Sequence, residues 1–411
     1  MRTISSTVAR RLSLFCQHLY GPQPRPTAEN IMEIIHDIGC VQIDPVSVVA
    51  PSHYIVLFSR LGPYNQKLLD KLLWEDQRLF EDWGHCTSIV VSDDYPIFAA
   101  LKRAFSPTTK FQDWLDQNED LRRYILRELS QHGALPTRHF KDKASVDWTS
   151  TGWTAGRNVS QMLQYLWAKG KIMVVRREGA QKIWDLTEHS LPTWIPDTPL
   201  SYHEASKKIG EKALRALGVA QPTHIRYHYI RGMPESPVAI TEELEAEGKI
   251  EELKIKDENS GKYWRGSWYI HTKNLDVLSR LEGGDGKIRT TLLSPFDNLI
   301  YDRKRTEQLF QFRYRFELYI PKNQRQYGCY VLPILHGDQF IGRIDPVMNR
   351  KTNTLIINAI YAEPNTPKDQ AIGQRVVNAI DDLATFLDAN EVVYPSKIPN
   401  EWKKALLEFK H

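Results

Sequence analysis

The chain has 411 residues, enough for two or three domains at about 150 residues each. With 41% hydrophobic residues, 11 Trp, 18 Tyr and 14 Phe, it carries far more buriable surface than a disordered chain. The 54 basic and 50 acidic side chains leave a net +4, which permits a polyanionic partner without requiring one, and apolar runs such as residues 54–58 are about a quarter of the ~20 residues that a membrane span needs.

Near the start, Val8, Leu12, Phe15 and Leu19 form one apolar stripe behind caps at Ser6 or Thr7, which predicts a helix entering a core. Arg2, Arg10 and Arg11, with no acid before Glu29, mimic an organelle-targeting peptide, but the stripe favours an ordinary helix of a cytoplasmic protein. A second helix is predicted over 27–36, with Ile31, Ile34 and Ile35 inward, Glu29 or Asn30 near its start and Gly39 ending it. Residues 41–45 then read as extended, because Pro45 pushes Asp44 away from the helical region. An apolar run over 48–58 and a helix over 68–80 follow.

From about residue 119 the pattern becomes a recognisable unit. Helices over 121–130, just after 137 and over 158–169 precede two strands, 171–177 and 181–186, around a Glu-Gly-Ala turn. Val159, Met162, Leu163, Leu166 and Trp167 mark the inward face of the last helix. Three helices and a β-hairpin make the winged variant of the helix-turn-helix, whose third helix is free to enter a groove. A weaker copy covers helices over 202–217, 223–230 and 240–247 and strands over 249–256 and 263–270, and the first 60 residues read the same way. In the later copy residues 242–258 hold eight acids against three lysines, so phosphate would repel it and a scaffold role is expected. After Gly283-Gly284 strands are predicted over 290–293, 312–319, 329–335, 339–343 and 354–360, closed by a helix over 369–387. The expected fold class is therefore α+β: tandem winged-helix motifs and a β-rich, barrel-like C-terminal portion, with boundaries at 1–117, 118–198, 199–283 and 284–411.

Several chemistries lack their motif. There is no Gly-rich phosphate loop, no dinucleotide fingerprint and no nucleophile elbow. Cys16, Cys40, Cys86 and Cys329 form no C-x-x-C pair and read as buried thiols of a reducing compartment. His224 and His228 stand four apart without a glutamate after the first, so helix-surface histidines are expected and no metal. What remains is Gln42-Ile43-Asp44. In an extended segment residues two apart face the same side, so an amide and a carboxylate share one space. There the amide can orient a water, and the carboxylate can take its proton or stabilise a cation. The same tripeptide also suits a structural role, with Asp44 capping a helix after Pro45.

The context of that tripeptide, residues 39–62 (GCVQIDPVSVVAPSHYIVLFSRLG), closely resembles the catalytic region of the YcaQ/AlkZ family of winged-helix DNA glycosylases. Residues 79–88 (LFEDWGHCTS), 183–186 (IWDL), 293–305 (LSPFDNLIYDRKR), 309–312, 317–321, 327–333 and 342–345 are similar to the same family, so the resemblance spans most of the chain. It implies three winged-helix motifs in a C-shaped arrangement with a concave channel for DNA, and no cofactor. The Gln-x-Asp form resembles the YcaQ branch, with Gln42 positioning the water and Asp44 activating it. The implied activity is monofunctional hydrolysis of the N-glycosidic bond of N7-alkylated purines and the unhooking of interstrand crosslinks. The implied partner is double-stranded DNA bearing such damage, met by a monomeric cytoplasmic enzyme of base excision repair on the nucleoid.

Other residues are expected to support this chemistry. His85, His53 and Trp83 are candidates for the neighbourhood of the active site. Arg60, the hairpin residues Arg176, Arg177 and Lys182, and Arg303, Arg305, Lys322 and Arg325 are candidate DNA contacts. Residues 302–351 carry ten bases against five acids, a local +5, and the turn holding Arg325 would probe the minor groove. A winged-helix regulator without catalysis and a metal-dependent nuclease are the competing expectations. Release of free base from alkylated DNA, or its insensitivity to chelation, separates them.

Overall fold

The computed structural model describes residues 1–408 except 151, 153, 197, 230–234, 365 and 368. They gather into two compact units, one made of residues 1–69, 84–87 and 209 onward, the other of residues 70–83 and 88–208. Among the described residues no helix is long and apolar enough to cross a membrane.

In the first unit the chain starts as a strand, Arg2–Ser5, that runs parallel to Ile250–Lys256, with Arg2 opposite Leu253. Trp268–His271 and then Val219–Ala220 complete that four-stranded sheet. The helix Ser6–Cys16 is capped by Ser5, one residue before the expected position, whose side chain accepts from the Val8 amide. It buries Ala9, Leu12 and Leu14 against Leu253, Trp268, Leu278, Leu293 and Leu309, and each such leucine contributes about 1.5–3 kcal/mol. Thr27 caps the next helix, Ala28–Ile38, which turns Ile31, Ile34, Ile35 and Ile38 inward.

The C-terminal part of this unit is a five-stranded sheet, Thr290–Leu292, Leu332–His336, Gln339–Asn349, Thr354–Ala362 and Glu391–Val393, that curls into a half-barrel. The helix Gln370–Phe386, capped by Asp369, buries Ile372, Val376, Ile380 and Leu383. Residues 312–319 are not one of the strands. Residues 312–315 alternate as a strand should, with Phe312 and Tyr314 buried and Arg313 and Arg315 exposed, before a turn at 318–319, but side chains replace the ladder. The Arg343 guanidinium lies 4.3 Å from the Phe312 ring and 4.1 Å from Tyr327, and donates to the Arg313 carbonyl at 2.8 Å. The Tyr314 hydroxyl donates to the Val331 carbonyl at 2.9 Å.

The second unit carries a sheet in the order Thr87–Val91, Leu79–Trp83, Ile172–Glu178, Gln181–Leu186, Leu135–Pro136. The expected helix over 68–80 is thus corrected: helix Lys67–Trp74 gives way to the strand Leu79–Trp83. The helix Asn158–Ala168 packs Met162, Leu163, Leu166 and Trp167 with Leu121, Ile125, Leu129 and Trp184, and the hairpin follows where expected. In the first unit the helices Pro222–His228 and Pro237–Ala246 and the strands Ile250–Lys256 and Trp268–His271 occupy the later copy; Ile230, expected to end its second helix, lies outside the described residues.

Two buried features correct surface expectations. His224 and His228 are 7% and 5% exposed, not helix-surface groups. Burial pushes both down to about 3, so they stay neutral. Arg60 is wholly buried and grips Asp297 with two nitrogens at 2.6 and 3.1 Å while donating to the Val56 carbonyl. Replacing Arg60 by Ala is expected to cost about 3–5 kcal/mol, because it strands a buried carboxylate. Denaturant unfolding checks this, and a loss below about 1 kcal/mol, as for an exposed pair, would contradict it.

Candidate active site

Gly39 ends the helix Ala28–Ile38 at φ +88°, and a Cβ there would stand 2.9 Å from the Tyr229 ring, so a side chain is excluded on two counts. The chain then runs extended through Val41–Gln42. Its backbone is fastened at each step. The Asn298 amide donates to the Ile38 and Cys40 carbonyls at 3.1 and 2.8 Å, and the Ile43 amide donates to the Thr87 carbonyl at 2.8 Å. The buried Ser52 hydroxyl, first in the helix Ser52–Leu61, donates to the Gln42 carbonyl at 2.7 Å and accepts from the Asp44 amide at 2.9 Å. One hydroxyl thereby staples the peptide on both sides of Ile43.

Held this way, Gln42 and Asp44 meet, as the two-residue period requires. The Gln42 amide nitrogen donates to Asp44 Oδ2 at 3.4 Å. Asp44 Oδ1 accepts from the Val46 amide at 2.9 Å, a local turn, while the next helix begins only at Ser52, so Asp44 does not cap it. Burial raises the Asp44 carboxyl above its ordinary value, opposed by the Val46 amide and the Gln42 side chain. Gln42 is 8% exposed and Asp44 half-buried. A carboxylate raised by burial yet still reachable is a stronger proton acceptor than a solvated one.

His85 joins the pair from the segment after Trp83. It is 2% exposed, its Nε2 stands 3.3 Å from Gln42 Oε1, its Nδ1 stands 3.3 Å from Cys40 Sγ, and its ring centre is 4.1 Å from that of Tyr301. His53, in the first turn of the helix Ser52–Leu61, is half-buried with its ring centre 4.2 Å from Tyr54. Trp83 belongs to the second unit, 54% exposed and edge-on to Trp167. Cys40, expected only as a buried thiol, and Ser52 and Asn298 were not among the expected site residues. Cys40 alone had a local signal, since it shares the alternating face of Gln42 and Asp44.

The expected DNA contacts separate by burial. Arg60 and Arg305 are corrected: both are buried, Arg60 on Asp297 and Arg305 on Ser13 and the Leu217 and Val219 carbonyls, so neither guanidinium faces outward. Arg177 and Lys182 pair with the fully buried Glu81 at 2.6 and 2.8 Å. Burial would raise that carboxyl, but the Arg177 hydrogen bond and both cations hold it below its usual value. Lys182 also lies 3.9 Å from the Trp167 ring. Arg176 stands out at the hairpin with 61% of its side chain exposed, near Glu178. Arg303 and Lys322 are exposed. Arg325, expected to project from its turn, is half-buried and folds back onto the Ile320 and Leu318 carbonyls at 2.8 and 3.0 Å. Among the described residues no group of three His, Cys, Asp or Glu could hold a metal ion.

The family model described as "DNA glycosylase AlkZ-like" matches residues 35–386. Among solved structures, the Streptomyces sahachiroi DNA glycosylase AlkZ is similar at a TM-score of 0.64 and 14% identity, over 96% of this chain and 99% of that one. At that identity the likeness is one of fold.

Proposed function

The chain belongs to the AlkZ-like DNA glycosylase family, and from that premise we propose that it hydrolyses the N-glycosidic bond of cationic N7-alkylated purines and unhooks N7-linked interstrand crosslinks. The observation that carries this reading is the convergence of the Gln42 amide on the half-buried Asp44 carboxylate at 3.4 Å. A purine alkylated at N7 already bears positive charge, so its bond to C1′ is weakened and the base departs neutral without a proton from the enzyme. As that bond breaks, its electron pair returns to the base and C1′ gains oxocarbenium character, which a carboxylate stabilises. Gln42 orients a water toward C1′, and Asp44 accepts its proton as the new C–O bond forms. A leaving group that needs no grip need not be flipped into a tight pocket, which suits bulky and crosslinked adducts.

The test is a duplex joined by a single N7-linked crosslink. Incubation is expected to yield separable strands on a denaturing gel, one of them carrying an abasic site. A duplex that stays joined while the protein binds it would favour a regulator.

The exposed cations then have a measurable role. Arg176→Ala is expected to weaken binding about equally on all sequences and to lower the slope of log K against log salt by about 0.9, one phosphate contact. Arg177→Ala, which leaves the buried Glu81 with Lys182 alone, is expected instead to lower the melting temperature. Titrations at several salt concentrations, with melting curves, check both; an unchanged slope for Arg176→Ala would return that side chain to solvent.

A further inference from the structure

We infer that Cys40 and His85 are positioning residues for the reaction: together they fix which way the Gln42 amide faces. This rests on the reading above and extends it to two buried residues beside the Gln42–Asp44 pair. Cys40, Gln42 and Asp44 occupy one face of the extended segment at successive alternate positions, and His85 bridges the first two. Its Nδ1 lies 3.3 Å from Cys40 Sγ and its Nε2 lies 3.3 Å from Gln42 Oε1. The Gln42 nitrogen continues the line to Asp44 Oδ2 at 3.4 Å.

Hydrogen-bond polarity gives the line one consistent direction. The ionised Asp44 accepts only, so the Gln42 group facing it must be the NH2. Gln42 Oε1 then faces His85, and an oxygen there needs a donor, so Nε2 carries the imidazole proton. A neutral ring protonated at Nε2 has a lone pair at Nδ1, and Cys40 supplies its S–H to that lone pair. Two carbonyls also within reach of the thiol, those of His228 and Tyr229, stand farther off at 4.0 and 3.9 Å. If the thiol turned to them, the Nδ1 lone pair would lose this donor; the other tautomer, protonated at Nδ1, would set a bare Nε2 against Gln42 Oε1, acceptor against acceptor.

The direction matters most after Asp44 has taken a proton. A protonated carboxyl can donate, so it no longer dictates the amide orientation. His85 still does. The surroundings keep the ring in register: His85 is 2% exposed and lies against Tyr301 with ring centres 4.1 Å apart and planes tilted by 38°, and Asn298 grips the Cys40 carbonyl.

The experiment is single-turnover release of base from a duplex with one N7-methylguanine, with affinity for undamaged duplex and melting temperature measured beside it. His85→Leu is expected to slow release roughly 10–10²-fold, the scale of a misplaced reacting group, while affinity stays within about twofold. His85→Gln, which keeps an N–H toward Gln42, and Cys40→Ser, which keeps a donor, are expected to recover most of the rate, and Cys40→Ala to lose about three- to tenfold. In a Gln42→Ala background His85→Leu is expected to cost less than about twofold, because the amide it orients is gone. Equal losses with and without Gln42, or a His85→Gln as slow as His85→Leu, would overturn the inference. A wild-type protein that releases no base would overturn the underlying reading as well, so the two failures are told apart.

Discussion

Asp44→Asn is expected to lower excision of N7-methylguanine by about 10²–10⁴-fold, roughly 3–5 kcal/mol of barrier, while leaving duplex binding intact. The carboxylate alone in the pair can hold a proton or bear a full negative charge against C1′, and Asn keeps its shape without either property. Gln42→Ala should cost less, since it removes orientation and not charge. The fold should tolerate the Asp44 change. Because folding raises the Asp44 pKa above its unfolded value, its charge opposes folding at neutral pH, and that penalty fades as pH falls through the folded value. Asn carries no such charge, and its side-chain oxygen can still accept from the Val46 amide. The same shift predicts the pH profile. Excision by the wild type should fall on acidification through a pKa above the ordinary 3.8 of an aspartate, and the residual activity of Asp44→Asn should lack that limb. Rate–pH profiles of both proteins check the point, and an acid limb shared by the variant would assign it to another group.

The second large effect lies in the substrate. Uracil and other neutral bases are expected to be excised about 10²–10⁴-fold more slowly than N7-methylguanine, the range a leaving-group acid contributes where one exists. Departure of a neutral base leaves an anion that must be protonated or held by donors. In the pair, Asp44 is the proton acceptor, and the Gln42 nitrogen is directed at Asp44. N7 alkylation removes the need, because the charge on the base disappears as the bond breaks. Matched duplexes with one uracil or one N7-methylguanine make the comparison. Uracil release at the alkylguanine rate would contradict the mechanism even if Asp44 proved essential.

The site was legible in the sequence to the extent that it is local. Period-two geometry brings Gln42 and Asp44 together, and Pro45 keeps the segment extended. Cys40 obeyed the same period but looked like one more buried thiol, since its partner His85 lies 45 residues away. Distance in sequence also explains Arg60, whose partner Asp297 is 237 residues on; a lone arginine after an apolar helix reads as a surface cation until that carboxylate appears. Arg305 and Arg325 misled in another way, because, apart from the Ser13 hydroxyl on Arg305, they donate to backbone carbonyls, which leave no mark in a sequence. Residues 312–315 show the limit of alternation: Phe312 and Tyr314 are buried between exposed arginines without belonging to a strand. The helix and hairpin over 158–186 were read closely because both periodicities and the Gly179 turn are local.

The central claim is tested most directly by identifying what leaves the DNA. Wild type and Asp44→Asn, each in excess over a duplex with one N7-methylguanine, are followed in parallel by chromatography of the small-molecule fraction. The wild type is expected to release free 7-methylguanine and leave an alkali-labile abasic site, and the variant to do so about 10²–10⁴-fold more slowly. A wild type that binds the duplex and retains the base, or a variant that releases it at the wild-type rate, would contradict the account.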